Sequence, residues 1–411
     1  MIWFMFRPLP RHLTALVALV AALALIGAAC ADDDNGDDNG DDATTTTEAA
    51  SGVDALRINE LQMIGSHNSY KERPREEISA ALETLAPELL AEIDYGHLSL
   101  TEQLDEYGVR QLELDVMADP EGGRYSTPAA LEILGIDESE DPVMDEPGFK
   151  VQHTQDVDYA SNCLTLVVCL EEVEQWSSAN PDHLPVMVMV ETKTLSIEDG
   201  AEGLGVDLSG FDVEFADPPD MTPELFDELE TEITSVFTED RVITPDDVRG
   251  DRDTLEEAVL SDGWPTVGES RGKVLFSLID TGDSKDTYLE GAPSLEGRIM
   301  FTSGTPGDPD AAFVRVDDSL EDGGELDDWS AAGYLIRTRT DVPGVHAPTN
   351  DTSLRDSAFE SGAHYLSTDY YFVEEELGTG YLVQFDGGVV ARCNPVSASP
   401  DCDDDLLADE R

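Results

Sequence analysis

The chain has 411 residues, 90 of them Asp or Glu against 23 Lys or Arg, for a formal net charge of −67. So acidic a surface excludes nucleic acid as a partner, because phosphate contacts need clustered basic side chains. It reads as a solvated face suited to high salt, where charges are screened within a few ångströms, or else as a face made for a cationic partner.

At the N-terminus, Arg7 and Arg11 precede an apolar run over residues 13–26, followed by Gly27, Ala28, Ala29 and Cys30. Basic, then apolar, then small is the order of an export signal, and the run is short for a membrane span. The "IGAAC" stretch resembles a lipobox, in which Cys30 is lipidated and becomes the new N-terminus, although Gly27 stands where Leu is usual. "ACA" serves equally as an ordinary cleavage site, so the expected location is the cell surface, anchored at Cys30, or the medium. Residues 31–54, rich in Asp, Thr and Gly, hold too little apolar surface for a core and read as a self-repelling tether.

From about residue 55 to 373, short apolar runs alternate with longer amphipathic stretches. Strand-like runs fall at 61–64, 111–116, 151–153, 186–190, 274–279, 299–302, 334–337 and 365–367. A helix is expected from Ser99, where Glu102 completes a capping box, and another over 222–237. Residues 195–262 read as an acidic insertion with a helical crossover. About eight strands alternating with helices predict a distorted TIM-like (βα) barrel rather than a doubly wound sheet. The tail, 374–411, reads as a short hairpin closed by a disulfide loop. With Cys30 set aside, Cys163 and Cys169, and Cys393 and Cys402, form two locally spaced pairs. They read as disulfides of an exported protein or, alternatively, as buried thiols. There is no zinc-ligand spacing.

Polar groups collect at the ends of four successive runs, where the loops of a parallel barrel converge. His67 and Asn68 follow the first; Glu113 and Asp115, two apart on the second, point to one side. His153 closes the third and Glu191 the fourth. Asn68, Glu113, Asp115 and Glu191 make an all-oxygen ligand set that suits a hard cation such as Ca2+. Two histidines beside it, His67 and His153, suit proton transfer near neutral pH. Each residue also has a bland reading: a hydrogen-bonded strand-end histidine, a solvent-facing acidic pair, or a surface ion pair between Glu191 and Lys193. Their arrival at one end of four runs favours chemistry. Lys193, Arg339 and Tyr370 are weaker substrate-binding candidates, with one of Arg337 and Arg339 expected to pair with Asp341. His97, His183, His346 and His364 lack comparable company.

The stretches "IGSHNSY", "GVRQLELDV", "QHT" and "PVMVMVETK" resemble the bacterial secreted, calcium-dependent phosphoinositide phospholipase C family, as do residues 240–276, "YLIRTRTD" and "HYLSTDYY". The resemblance spans about residues 55–373. It implies a barrel that cleaves phosphatidylinositol-type lipids to diacylglycerol and a cyclic or open inositol phosphate, by attack of an inositol hydroxyl on phosphorus. It further implies Ca2+ at the four oxygen ligands, the two histidines as acid and base, and a monomer acting on lipid at a membrane surface. Which histidine is the acid stays open. A glycerophosphodiester phosphodiesterase is the rival enzyme, but its first strand ends in His-Arg-Gly where this one reads Ser-His-Asn-Ser. A non-catalytic calcium- or lipid-binding lipoprotein is the other alternative, and it predicts loss of at least one of the six polar groups, none of which is missing.

Overall fold

A computed structural model of the chain describes residues 52–85, 87–136, 141–203, 208, 213–408 and 410. The export signal, Cys30 and residues 31–51 lie outside them. The fold begins before residue 55: Val53 is buried, and Asp54 pairs with Arg271 at 2.6 Å.

Among the described residues ten strands form: β1 Leu61–Ser66, β2 Gln111–Met117, β3 Lys150–Val151, β4 Val186–Thr192, β5 Val274–Leu278, β6 Met300–Thr302, β7 Phe313–Arg315, β8 Leu335–Arg339, β9 Tyr365–Thr368 and β10 Ala391–Cys393. Eight are parallel, in the order β6-β5-β4-β2-β1-β9-β8-β7. A parallel bridge between Ser303 and Phe313 joins the two ends, so the sheet closes into a barrel. Most strand residues are buried whichever way they point, because helices cover the outside and side chains fill the inside.

The membership of the barrel differs from the expectation. The run ending at His153 is not a barrel stave: β3 pairs antiparallel with the end of β2, a two-residue spur. The eighth stave is β7, a three-residue strand too short to stand out in the sequence. Nor does the tail form its own hairpin. β10 pairs antiparallel with Leu61–Met63 of β1, where β1 has no ladder with β2. The Cys393–Cys402 disulfide, like Cys163–Cys169, is formed, and it fastens β10 in place.

The β1–β2 seam rests on one register pair, Gly65 with Gln111. A Cβ at Gly65 would sit 2.0 Å from the Gln111 side chain. Gln111 bridges the seam, its amide donating to the Ser66 carbonyl and its oxygen accepting from Ser367. Helices set the outer layer. Leu100–Asp105 starts at the expected Ser99–Glu102 capping box, and Thr222 caps Pro223–Val236, which buries Phe226, Leu229 and Ile233. Among the described residues, 195–262 supply four α-helices and one 3-10 helix between β4 and β5.

Candidate active site

Parallel register places Asp115 of β2 directly beside Glu191 of β4, and period-2 geometry puts Glu113 on the same face of β2. One carboxylate oxygen from each of Glu113, Asp115 and Glu191 lies within 4.8 Å of the others. Asp115 is fully buried, and neither of its oxygens has an aligned hydrogen-bond donor among the described residues. Lys193 Nζ lies 3.0 Å from Asp115 and 2.9 Å from Glu191, so the expected Glu191–Lys193 pair exists, but it is part of the cluster and only 15% exposed. Burial pushes the Asp115 carboxyl up to about 7, with Lys193 opposing and Glu191 adding to the shift. A buried carboxylate with no aligned hydrogen bond, among three converging on one point, fits a hard divalent cation such as calcium.

Asn68 follows His67 directly past the end of β1 at Ser66. Its φ of +48° turns the chain sharply after β1, a conformation asparagine tolerates better than most residues. Its amide donates to the Tyr95 hydroxyl at 2.9 Å. The turn is locked by Ser69, whose hydroxyl accepts from the Glu113 backbone N–H while its own N–H donates to the Glu113 carbonyl.

The two histidines are each oriented at Nδ1 by a buried aspartate. His67 Nδ1 is 2.9 Å from Asp369 Oδ1, and His153 Nδ1 is 2.7 Å from Asp158 Oδ2. The ring then presents Nε2, and in His67 that atom lies 3.9 Å from Glu113. Burial and Arg339 lower the His67 pKa, outweighing Asp369 and Glu113, so its neutral form prevails. At Asp369, burial works toward the neutral acid, but His67, His97 and Arg339 hold the carboxyl far below the usual range.

Sequence reasoning missed the aspartates. Asp369 directly follows β9, a strand-end position that the sequence offered but whose pairing with His67 it did not, and Asp158 stands five residues after His153 in a tight turn with no strand-end signal. It also set aside His97, whose Nε2 donates to the His67 carbonyl and whose ring stacks on Tyr371. Its weaker candidates divide. Arg339 Nη2 reaches Asp369 at 3.2 Å. The expected Asp341 partner offers only its backbone carbonyl, because its carboxylate is taken by Thr340, Thr368 and the Asp369 N–H. Arg337 pairs instead with Glu113 at 3.0 Å and with Asp317. Tyr370, expected to offer a ring to the headgroup, is 4% exposed and packs edge-on against Tyr381. His183, His346 and His364 make hydrogen bonds of their own, with Ser177, the Val342 N–H and the Ile336 N–H.

Residues 56–395 match the family model described as phosphoinositide phospholipase C, Ca2+-dependent. No curated protein matches the chain. Among solved structures, the chain is similar to a calcium-dependent phosphoinositol-specific phospholipase C from Pseudomonas sp, in apo form and myoinositol complex. That match has 16% identity and a TM-score of 0.49, and covers 85% of this chain and 100% of that one. It is similar also to the Ca2+-dependent phosphatidylinositol-specific enzyme of Streptomyces antibioticus, with 19% identity, a TM-score of 0.47, and 79% and 97% covered. The phosphatidylinositol-specific phospholipase C of Listeria monocytogenes matches at 12% identity and a TM-score of 0.45, with 79% and 92% covered.

Proposed function

The chain belongs to the family of Ca2+-dependent phosphoinositide phospholipases C, and on that premise we propose that His67 and His153 are its base and acid and that Asn68, Glu113, Asp115 and Glu191 hold its calcium ion. A calcium ion held at those oxygens would supply positive charge and Lewis acidity to the reacting phosphate. His67, kept neutral and aimed by Asp369, takes the proton from the inositol hydroxyl adjacent to the phosphodiester. His153, aimed by Asp158, gives a proton to the oxygen of the departing diacylglycerol. Lys193 and Arg339 add positive charge where the phosphate would sit.

The observation that carries this reading is the repeated dyad: two imidazoles, each with its own buried aspartate at Nδ1, one 3.9 Å from Glu113 and the other acting electrostatically on Asp115 and Glu191. A calcium- or lipid-binding module has no need of two oriented proton carriers. The test is to incubate purified protein with phosphatidylinositol vesicles, with calcium or with chelator, and to follow diacylglycerol. Release that needs calcium and fails in His67→Ala and His153→Ala supports the assignment; release unaffected by chelator rejects it.

The lipid surface belongs to the same reading. Leu195, Leu320, Val342, Val345 and Val373 are exposed apolar residues on segments that follow β4, β7, β8 and β9, the same barrel end as the site. Apolar groups around the mouth of a strongly acidic protein suit contact with lipid, on which the protein acts as a monomer. Val345→Asp should weaken sedimentation with vesicles while leaving turnover of a soluble substrate unchanged. Export, supported by the two disulfides, extends to anchoring through lipid on Cys30. Mass spectrometry of the mature N-terminus in wild type and Cys30→Ser tests that anchor.

A further inference from the structure

Lys71 is one of five lysines in the chain, and it is completely buried. Burying an ammonium costs several kcal/mol unless its hydrogen bonds and charge are met. Here they are met in full. Nζ donates to the carbonyls of Ile93 at 2.7 Å and of Glu72 and Tyr95 at 3.2 Å, lies 4.6 Å from the centre of the Tyr95 ring, and sits 3.1 Å from Asp158 Oδ1. The other oxygen of that carboxylate orients His153. Asp158 therefore faces a lysine on one side and the imidazole on the other.

The surrounding backbone makes this placement specific. Lys71 lies four residues beyond His67 on the segment that leaves β1, and bridges antiparallel to Ser161. Tyr70 accepts from the Asn162 N–H and Glu72 donates to Ala160, so the segment is zipped to the turn after His153. That turn is closed by reciprocal backbone bonds between Thr154 and Asp158. The His97 N–H donates to the Lys71 carbonyl. One buried cation thus joins the segment carrying His67 and Asn68, the Tyr95–His97 segment beneath them, and the turn carrying the His153 dyad.

We propose that Lys71 is a positioning residue for His153: its ammonium anchors the Asp158 carboxylate that orients the imidazole, and it takes a share of that carboxylate's charge. This rests on the reading of His153 as a proton carrier. Burial favours the neutral acid at Asp158, and Lys71 with His153 overcomes it and holds the carboxyl below its ordinary value. Asp369 and Arg73 act on Lys71 from further away, and Asp115 and Glu191 act on His153. Neither set replaces the direct 3.1 Å contact. With Lys71 present, Asp158 stabilises an imidazolium less than an unshared carboxylate would.

The test uses the full chain with phosphatidylinositol vesicles and saturating calcium. Lys71→Met should move one limb of the pH–kcat profile up by about one unit, the size of shift a nearby charge produces. Asp158→Asn, which leaves the lysine unshared, should move it down. KM should stay within about twofold, since Lys71 touches no substrate. Lys71→Arg, which keeps the charge, should restore the wild-type profile. Should Lys71→Met not fold, the titration of His153 followed by NMR in Asp158→Asn and Lys71→Arg carries the same comparison. Variants that lose melting temperature while both limbs and the His153 titration stay in place would overturn the proposal. A His153→Ala enzyme at wild-type rate would instead overturn the underlying assignment of His153.

Discussion

Nδ1 of His67 meets Oδ1 of Asp369 at 2.9 Å across 302 residues of sequence. The contact follows from strand order. β1 and β9 are adjacent, with Ser66 in register with Thr368, so the residues just past each strand end are brought side by side. The same aspartate carries Arg339 at 3.2 Å and lies 3.7 Å from His97. Asp369→Asn should therefore cost about 10²-fold in kcat by loosening the His67 orientation, with little change in KM. His67→Ala should cost roughly 10²–10⁴-fold, the range of a lost general base. Equal rates for Asp369→Asn and wild type on phosphatidylinositol would show that the dyad is structural only.

The carboxylate cluster predicts a metal-dependent enzyme whose fold survives loss of a ligand. Asp115→Asn and Glu113→Gln should abolish turnover and weaken calcium binding measured by calorimetry, while circular dichroism stays native. Asp115→Asn should stay folded, because Lys193 keeps Glu191 as its partner at 2.9 Å when the Asp115 charge is removed. If both variants keep full activity in chelator, the ion is held elsewhere.

Stability should fall on mild acidification through His364. This buried ring accepts from the Ile336 N–H at Nδ1 and donates to the Asn59 carbonyl, so its neutral form is required. Burial pushes its pKa down to about 3, opposed by the Asn59 bond, while an unfolded imidazole titrates near 6.5. The stabilisation is thus complete above pH 6.5 and is lost as pH falls toward 3, by about 1.4 kcal/mol per pH unit. Removing the imidazole in His364→Gln isolates this effect from the titrating carboxylates. The stability gap between wild type and variant, from urea unfolding, should shrink between pH 7 and pH 4; a constant gap rejects it.

A net charge of −67 implies long-range self-repulsion. Raising NaCl from about 0.1 M to 1 M shortens the screening length from about 10 Å to about 3 Å, so the melting temperature should rise. Activity on anionic vesicles should rise further than activity on a neutral soluble analogue, because repulsion from the membrane is relieved as well. A melting temperature that is flat or falling with salt would instead favour a cationic partner for the acidic face.

Much of the candidate site was legible because its polar groups sit at strand ends. An apolar run stopping at His67-Asn68, a run carrying Glu113 and Asp115 two apart, and a run stopping at Glu191 announce themselves by period and polarity. Local spacing also suffices for the Ser99–Glu102 cap and for cysteine pairs six and nine residues apart. β7 was not legible, since three residues carry too little pattern to separate a strand from a loop. The antiparallel courses of β3 and β10 were not legible either, because direction is set by which neighbouring edge is open.

By itself, then, the sequence determined which residue types stand at the ends of the staves, and so the kind of chemistry available. Tertiary structure alone decided their partners: Asp369 with His67, Arg337 with Glu113, and Lys71 with Asp158 behind His153. The physical reason is reach. Periodicity and capping act over a few residues, whereas charges in a desolvated barrel mouth pair with whatever strand order and register bring within 3 Å, and that depends on the closure of the whole sheet.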